Sequence, residues 1–421
     1  MKKKILLFVW ALFVGFCGAD ARSLSLDNAV ELVLVESQDI KKAAANIKKM
    51  QAVMDGLNAG RWFKIDATAA YQTNMFGLPI QASASSASIP ASIDNIGTAG
   101  LTASMPIYTF GKIGYALDMA EKGVKIAETS KKLAEIETRS AAVNLYWSAK
   151  MTDEFVRIAE KSLKNTRSAQ KQLTATGRAN RSNLVKISAD VASREIDLAD
   201  AKFNRDSAFR MLKVYAGIDE AEPIVLTSDF PDKFSSIRSK EINPLEWEIY
   251  EAQAKMYDAE KWQNYMGYAP TIAASASYNY LTFADSMRKL GDFNLKSANI
   301  GVSISVPLFD GGAKRAAATQ SAMSAISARE DLDKSRKLKS AEYSDLIQRH
   351  EYLRKKLGDL LVANDLAEKA YKLSKDRFLA GQTSAAELSD VERAQAQMEM
   401  AVFNAKLQIL TTAENIKKYE Q

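Results

Sequence analysis

Cysteine and histidine are nearly absent from this sequence, which has one of each in 421 residues. Cys17 is the single cysteine, so the rest of the chain can form no disulfide. A cluster of Cys and His side chains that would hold a metal is excluded for the same reason. His350 lies in a charged stretch, Gln348 to Glu351, and we interpret it as a surface histidine rather than a catalytic base.

Motifs for phosphate chemistry are incomplete. Ile113 follows Gly111-Lys112 where a phosphate-binding loop needs Ser or Thr, and the upstream glycine is missing. Asp310-Gly311-Gly312 is better explained as a turn between a strand and a helix than as a phosphate or calcium loop. No nucleophile and base stand together in the sequence, so we expect no enzymatic activity, no metal and no cofactor.

Apolar runs long enough for a membrane-spanning helix are missing. Residues 5–16 form an apolar run of twelve after three lysines, a pattern typical of a signal peptide. A helix across a bilayer needs about 20 residues. Ala19-Asp20-Ala21 supplies small residues for cleavage, so we predict a signal peptide at 1–21. Acylation of Cys17 is the alternative, although the preceding Phe16 is larger than a lipoprotein signal prefers.

Charge of one sign is not concentrated anywhere in the chain. Removal of residues 1–21 lowers the formal charge from +6 to +4, and the remaining charges of both signs are interspersed. Nucleic-acid-binding domains instead collect basic residues in a patch. We therefore expect no nucleic acid partner, and an exported protein that is soluble, peripheral or a β-barrel.

Proline is confined to short parts of the chain. This leaves proline-free stretches at 107–222 and 308–421, of 116 and 114 residues. Both are rich in Ala, Leu, Lys, Glu, Gln and Arg, which are strong helix formers. Because a proline inside a helix costs about 3 kcal/mol, its absence favours long helices in both stretches.

The two halves of the sequence repeat the same features in the same order. Paired features are 201, 204 and 207 residues apart, and a duplication of about 200 residues is the simplest explanation. The pairs are Met105-Pro106-Ile107-Tyr108 with Val306-Pro307-Leu308-Phe309, Gly177 and Leu184 with Gly381 and Leu388, and the alternating runs 65–71 and 272–278.

The duplication predicts a domain plan. We divide the chain into the signal peptide at 1–21, a first repeat at 22–217, a linker at 218–243 and a second repeat at 244–421. Each repeat is expected to start with a helix, and then to add two strands and a long helical hairpin. The first helix runs from Ser25, with Ser25 or Asp27 as its cap, to about Asn58, and the second from Pro244 to about Tyr265.

Four segments of about ten residues alternate apolar with small or polar side chains, which predicts strands with one apolar face. The clearest is 298–309, where every second residue from Ile300 to Leu308 is apolar. Aromatic residues lie near the segment ends, where a membrane barrel has its aromatic girdle. A soluble sandwich is the alternative, but four strands are too few to build a core for two such helical regions.

Four strands cannot close a membrane barrel, because the smallest has about eight strands and an open edge leaves backbone groups unpaired in lipid. Several chains must then share one barrel, and three chains would give about twelve strands. The long helices, the first from Lys112 to about Thr176, are expected to turn back near Gly177 and Gly381 and to pack as coiled coils.

The ordered set of these features resembles the TolC-type outer-membrane efflux family over nearly all of the chain after residue 21. It includes the duplication, the strand end Val306-Pro307-Leu308-Phe309-Asp310-Gly311-Gly312, and the tip pattern Phe378-x-x-Gly381-x-x-Ser384-x-x-Glu387-Leu388-x-Asp390. The resemblance implies a mainly α fold with membrane β structure: a homotrimer whose barrel of about twelve strands, four from each chain, continues as an α-helical coiled-coil barrel in the periplasm.

The function implied by the resemblance is a passive channel-tunnel of the bacterial outer membrane, in contact with its lipid. Its implied partners are a periplasmic adaptor (a membrane fusion protein) and an inner-membrane pump, for multidrug or small-molecule efflux or for type I protein secretion. A non-conducting coiled-coil spacer of the envelope is the alternative, although a spacer has no need of alternating strands. The sequence leaves the cargo open among drugs, metal ions and secreted protein.

Site residues are implied as well. Glu387 and Asp390 correspond to acidic residues that form rings at the periplasmic entrance, and their spacing of three places them on one helix face. Carboxylates gathered around an axis by several copies select for cations. The hairpin tips are implied to dock the adaptor, at Gly177, Arg178, Gly381 and Gln382.

The contacts that close the entrance depart from the family. Relatives use tyrosine–aspartate and arginine contacts between the two hairpins, whereas the corresponding positions here are Phe378, Thr383, Ser182 and Asn183. No two of these four can form an ion pair. We expect weaker closure, or closure through other residues such as Arg178 or Arg181.

Overall fold

The structure is a computed structural model, and it describes residues 22–73, 95–175, 181–284 and 293–420. The chain divides into two compact units, and each draws on both halves of the sequence. One unit comprises Met1–Lys41, Lys132–Pro244 and Leu338–Gln421, and the other comprises Lys42–Lys131 and Leu245–Lys337. The predicted signal peptide, with Cys17, lies outside the described residues.

Each half of the chain contributes a helical segment, two strands of ten or more residues and two longer helices. The strands are β1 (Arg22–Leu24), β2 (Lys64–Thr73), β3 (Asn95–Tyr108), β4 (Ile224–Leu226), β5 (Thr271–Ala284) and β6 (Phe293–Ser305). The helices are α1 (Leu26–Glu36), α2 (Gln38–Ala59), α3 (Lys112–Ala175), α4 (Arg181–Ala216), α5 (Leu245–Met266), α6 (Ala313–Leu379) and α7 (Ala385–Lys417). Over the described ranges, none of these helices combines the length and the apolar character needed to traverse a bilayer.

Four strands form one antiparallel sheet in the second unit, in the order β2-β3-β5-β6. The centre of the sheet joins the two halves of the sequence, because β3 pairs with β5, from Asn95 opposite Ala284 to Tyr108 opposite Ile272. The outer strands β2 and β6 each pair on one side only within the described part of the chain. Their other sides keep backbone donors and acceptors available for a further strand.

The predicted alternation gives the sheet two different faces. On one face, Leu101 is opposite Tyr278, and Ile300 is opposite Ala276. Ile300 is 92% exposed, as expected for a side chain with no protein core beneath it. On the other face, Ser277 lies between Thr102 and Asn299. A sheet with an exposed apolar face and a polar face is the pattern of a membrane barrel wall.

The last strand lies earlier in the chain than the sequence predicts. We expected it over 298–309, whereas β6 runs from Phe293 to Ser305. Ser305 is opposite Thr271, the first residue of β5, so residues after Ser305 have no partner on that strand. The chain then turns at Asp310, whose carboxylate accepts hydrogen bonds from the backbone N–H groups of Gly312 and Lys314, both at 3.0 Å. The prediction of a simple turn at Asp310-Gly311-Gly312 is therefore confirmed.

The core of the first unit gathers segments that are far apart in sequence. Ala29 and Val33 of α1 pack with Trp147 of α3 and with Leu212 of α4. Tyr146 is fully buried, and its hydroxyl donates to the carbonyl of Leu24 at 3.1 Å and accepts from the backbone N–H of Ser228 at 2.9 Å. This single phenol links β1 to the segment that follows β4. The strands β1 and β4 pair with each other in parallel.

The first helical stretch is broken, although its sequence predicts one helix from Ser25 to about Asn58. Ser25 caps α1 as predicted, since its hydroxyl accepts from the backbone N–H of Asn28 at 3.3 Å. Ser37 then ends α1 with ψ of 119° and caps α2 by accepting from the backbone N–H of Ile40 at 3.4 Å. Ser favours such positions because its hydroxyl replaces the missing helical hydrogen bond.

His350 is buried, and the interpretation of a surface histidine was wrong. Its exposed fraction is 3%, within α6. Burial, assisted by the positive charge of Arg354, lowers the pKa of the His350 imidazole. The charged residues beside His350 in sequence concealed this burial, because a helix turns neighbouring residues to different sides.

Candidate functional site

The connection between α6 and α7 is a short turn fixed by two helix caps. Gly381 has φ of 75°, a conformation that L side chains rarely adopt. The backbone N–H of Gln382 donates to the carbonyl of Arg377 at 2.8 Å, and that of Gly381 donates to Phe378 at 3.0 Å. These two bonds form a Schellman motif, which ends α6 at the glycine. The structure thus places the second tip at Gly381 and Gln382, as expected.

The same turn positions the first acidic residue of α7. Ser384 is the N-cap of α7, and its hydroxyl accepts a hydrogen bond from the backbone N–H of Glu387 at 3.2 Å. The Thr383 hydroxyl donates to the Glu387 carboxylate. Glu387 also lies in the first turn, where the helix dipole favours a negative charge. The local sequence therefore holds this carboxylate in place without any other segment.

Glu387 and Asp390 are both exposed on α7, while Leu388 and Ser389 between them are buried. The two carboxylates thus share one face of the helix and point away from the packed side. This placement is compatible with rings formed by several copies of the chain. The ring assignment itself stays a prediction.

Three of the four positions expected at the entrance line one cavity of about 160 Å³. Phe378, Thr383 and Asn183 contribute to this cavity, together with Gly381. Phe378 is 8% exposed and packs in a cluster with Leu173 of α3, Ile187 of α4 and Leu388 of α7. The phenylalanine therefore holds both hairpins together by apolar contact within one subunit.

The remaining predicted residues divide into two groups. Ser182 and Arg181 are exposed in the first turn of α4. Gly177 and Arg178, the predicted tip of the first hairpin, lie outside the described residues. The predictions for these positions therefore stay open.

A buried charged cluster near this end of the unit was missed by sequence reasoning. Glu392 of α7 is 3% exposed, and its carboxylate accepts from the Ser162 hydroxyl of α3 at 2.9 Å. Arg194 of α4 approaches the same carboxylate oxygen at 3.4 Å. Burial raises the pKa of the Glu392 carboxyl, although Ser162 and Arg194 counteract that effect.

The chemistry available at this site is that of charge and packing. Across the described ranges, no group of three or more His, Cys, Asp or Glu side chains is placed to hold a metal ion. Exposed carboxylates attract cations, and Gly381 is itself exposed at the turn.

Comparison with known protein families identifies one family. A family model described as outer membrane efflux protein matches residues 29–217 and 237–419. No curated protein matches the sequence. The family match spans most of the chain in two blocks, one in each half.

Solved structures give the fold. The chain is similar to the CmeC outer membrane channel of Campylobacter jejuni, with a TM-score of 0.76, 14% identity, and coverage of 94% of this chain and 85% of that one. It is similar to the outer membrane protein VceC of Vibrio cholerae, with a TM-score of 0.74, 18% identity, and coverage of 93% and 94%. A membrane protein from Pseudomonas aeruginosa gives a TM-score of 0.79 at 17% identity, with coverage of 95% and 91%. The predicted fold class is confirmed.

Proposed function

The chain belongs to the outer membrane efflux protein family, and we propose that it is the outer-membrane duct of an export system, fed by an inner-membrane pump through a periplasmic adaptor. It is an efflux channel of the bacterial outer membrane, with its helices in the periplasm. The duct itself is passive in this proposal and carries no enzymatic activity. We divide it into a repeat at 22–217, a linker at 218–243 and a repeat at 244–421.

The observation that carries the proposal is the open four-stranded sheet with an exposed apolar face. An unpaired strand edge in lipid costs several kcal/mol for each backbone group, so β2 of one copy needs β6 of another. Three copies give a closed barrel of about twelve strands. The polar face, with Ser277 and Asn299, then lines the lumen, and Ile300 meets lipid.

Exposed apolar side chains on two helices of the first unit support assembly into a trimer. On α6, Leu338, Tyr352, Leu366 and Leu373 are all more than half exposed and are spaced by multiples of seven. This spacing marks one helix face and is typical of a coiled-coil seam. On α4 a second exposed apolar stripe, with spacings of 11, 7 and 11 residues that also keep to one helix face, consists of Val185, Ile196, Phe203 and Val214. Burial of both stripes between copies would form a helical tunnel.

Native mass measurement in detergent tests the assembly. We expect a homotrimer whose β structure requires all three chains. A monomer with a complete barrel signature would contradict the proposal. Conductance in planar bilayers then separates the duct from a non-conducting envelope spacer, because a spacer inserts no pore.

The tips are proposed to dock the adaptor, at Gly177, Arg178, Gly381 and Gln382. The tight turn at Gly381 exposes backbone and small side chains, which permits close approach by the helices of a partner. Gly381→Glu should abolish export while leaving the trimer and its membrane insertion intact. Normal export by this variant would remove the tip from the proposal.

Glu387 and Asp390 are proposed to form cation-attracting rings at the periplasmic entrance. The cargo class, drugs, metal ions or secreted protein, is set by the pump that the duct serves. Deletion of any pump gene found next to this one, followed by tests of drug, metal and secretion phenotypes, would identify the cargo class.

A further inference from the structure

Glu392, Arg194 and Ser162 join three helices at one buried point in the first unit. Glu392 belongs to α7, Arg194 to α4 and Ser162 to α3, and their exposed fractions are 3%, 6% and 4%. The distances are 2.9 Å from Ser162 Oγ and 3.4 Å from Arg194 Nη2, both to Glu392 Oε2. Buried charges of this kind are rare in proteins unless they are paired.

The pairing inside this cluster is incomplete. Glu392 Oε1, Arg194 Nε and Arg194 Nη2 are buried without a hydrogen-bond partner among the described residues. Arg194 sends its other terminal nitrogen, Nη1, to the half-exposed Asp197 at 3.1 Å. An ion pair that is imperfectly satisfied contributes little to stability, since apolar residues of the same volume hold a core at least as well. We therefore favour a role for this cluster other than stabilisation of the fold.

Polar contacts with α3 extend along the same side of α7. Glu399, one heptad after Glu392, accepts from Lys161 at 3.0 Å and from Arg157 at 3.1 Å. Toward the tip the packing becomes apolar, with Leu388 of α7 against Ala169 and Leu173 of α3. Contacts between charges depend on geometry more strongly than apolar contacts do, so they specify one register of α7 against α3.

The cluster also sets the direction of the acidic face of α7. Asp390 and Glu392 are two residues apart, which is a rotation of about 200° around a helix. Burial of Glu392 against α3 and α4 therefore turns Asp390 to the exposed side, where the structure has it. Rotation or withdrawal of α7 would break the contacts of Glu392 with Ser162 and Arg194 together.

We propose that Arg194 and Ser162 are positioning residues that hold Glu392 against the first hairpin, which consists of α3 and α4. Through Glu392 they also hold α7 and its acidic face in place. These contacts, which we call the latch, must break for the entrance to widen. The inference rests on the proposed function of the chain as a duct. It supplies a closing contact within one subunit, at residues other than the four positions that the family resemblance indicates.

The test compares five variants in planar bilayers and in thermal unfolding. Glu392→Gln removes the charge with little change of shape, Arg194→Met removes the partner, and the double variant replaces the pair by neutral groups. The matched control is Glu195→Gln, which breaks the half-exposed ion pair of Glu195 with Arg167 between α3 and α4 and leaves α7 alone. Arg194→Lys retains the charge and tests for rescue.

We expect both single variants to raise the open probability by a factor typical of coupling within proteins, roughly 5- to 150-fold. The double variant should open no more than either single variant, the control should match wild type, and Arg194→Lys should restore much of the closure. If the variants only lower the melting temperature and conduct like wild type, the cluster is structural and the latch is refuted. A wild-type protein that forms no pore would instead refute the proposed duct.

Discussion

The hydroxyl of Ser384 accepts a hydrogen bond from the backbone N–H of Glu387 at 3.2 Å, so the first acidic residue of α7 is also part of its N-terminal cap. Alanine at this position would keep that backbone bond but would lose the carboxylate that accepts from the Thr383 hydroxyl, so it would disturb the turn as well as the charge. Glutamine keeps the shape of the side chain, and it keeps an oxygen that can accept from Thr383.

The variant with Glu387→Gln and Asp390→Asn should lose cation preference and block by trivalent cations. Three copies lose six carboxylates in this variant, and the effect should be largest at low salt, where screening reaches about 30 Å at 0.01 M. The measurement is the reversal potential under a salt gradient. Glu368→Gln is the control, since it removes an exposed acid of α6 that pairs with Lys372. An unchanged reversal potential would place both residues away from the lumen.

Gly381→Ala should destabilise the hairpin, because a left-handed conformation costs an L residue about 1–2 kcal/mol. Gly381→Asn should cost less, since the short polar side chain of Asn tolerates this conformation. Chemical unfolding of the two variants gives the comparison. Equal stability of glycine, alanine and asparagine would mean that the turn relaxes to another conformation.

His350 should make stability depend on pH near neutrality. Burial holds its pKa below the ordinary value of 6.5, so the unfolded chain takes up the proton first as the pH falls. The contribution of His350 is complete above pH 6.5 and is lost toward the lower native pKa, with a slope of at most about 1.4 kcal/mol per pH unit. Unfolding of wild type and of His350→Gln between pH 7 and pH 5 measures the difference. Parallel pH profiles would show that the native imidazole is readily protonated.

Ile300→Lys should impair assembly in the outer membrane. The side chain of Ile300 is 92% exposed on the apolar face of β6, and a lysine facing the bilayer centre costs about 2–4 kcal/mol. Asn299→Lys places the same charge on the opposite face of the same strand and should assemble normally. The readout is the heat-resistant trimer fraction in outer-membrane extracts. Equal losses in both variants would contradict the assignment of the two faces.

Much of this fold could be predicted from the sequence because its signals are local. Period-two alternation, proline-free stretches and the tip glycine at Gly381 each specify their own segment. The repeated order of these signals then identified the architecture. The turn at Asp310 was predicted for the same reason.

The rest depends on contacts between distant segments. Glu392 lies among charged and polar residues that resemble a solvated helix face, and only the positions of Ser162 and Arg194 make it buried. His350 was misread in the same way. The break at Ser37 belongs to this group too, because its hydroxyl also contacts Thr138 of α3 at 3.3 Å. For Glu392 and Ser37 the partners are about 100 or more residues away in the sequence.

The single-sided pairing of β2 and β6 has a genetic consequence. A chain with a defective edge strand still offers a sound edge to one neighbour, so it is incorporated and then leaves the ring incomplete. Such an allele acts dominantly over the wild type, rather than as a simple loss of dose. With equal expression of both chains, about one trimer in eight contains only wild-type chains, because each of the three copies in the closed oligomer is incorporated independently.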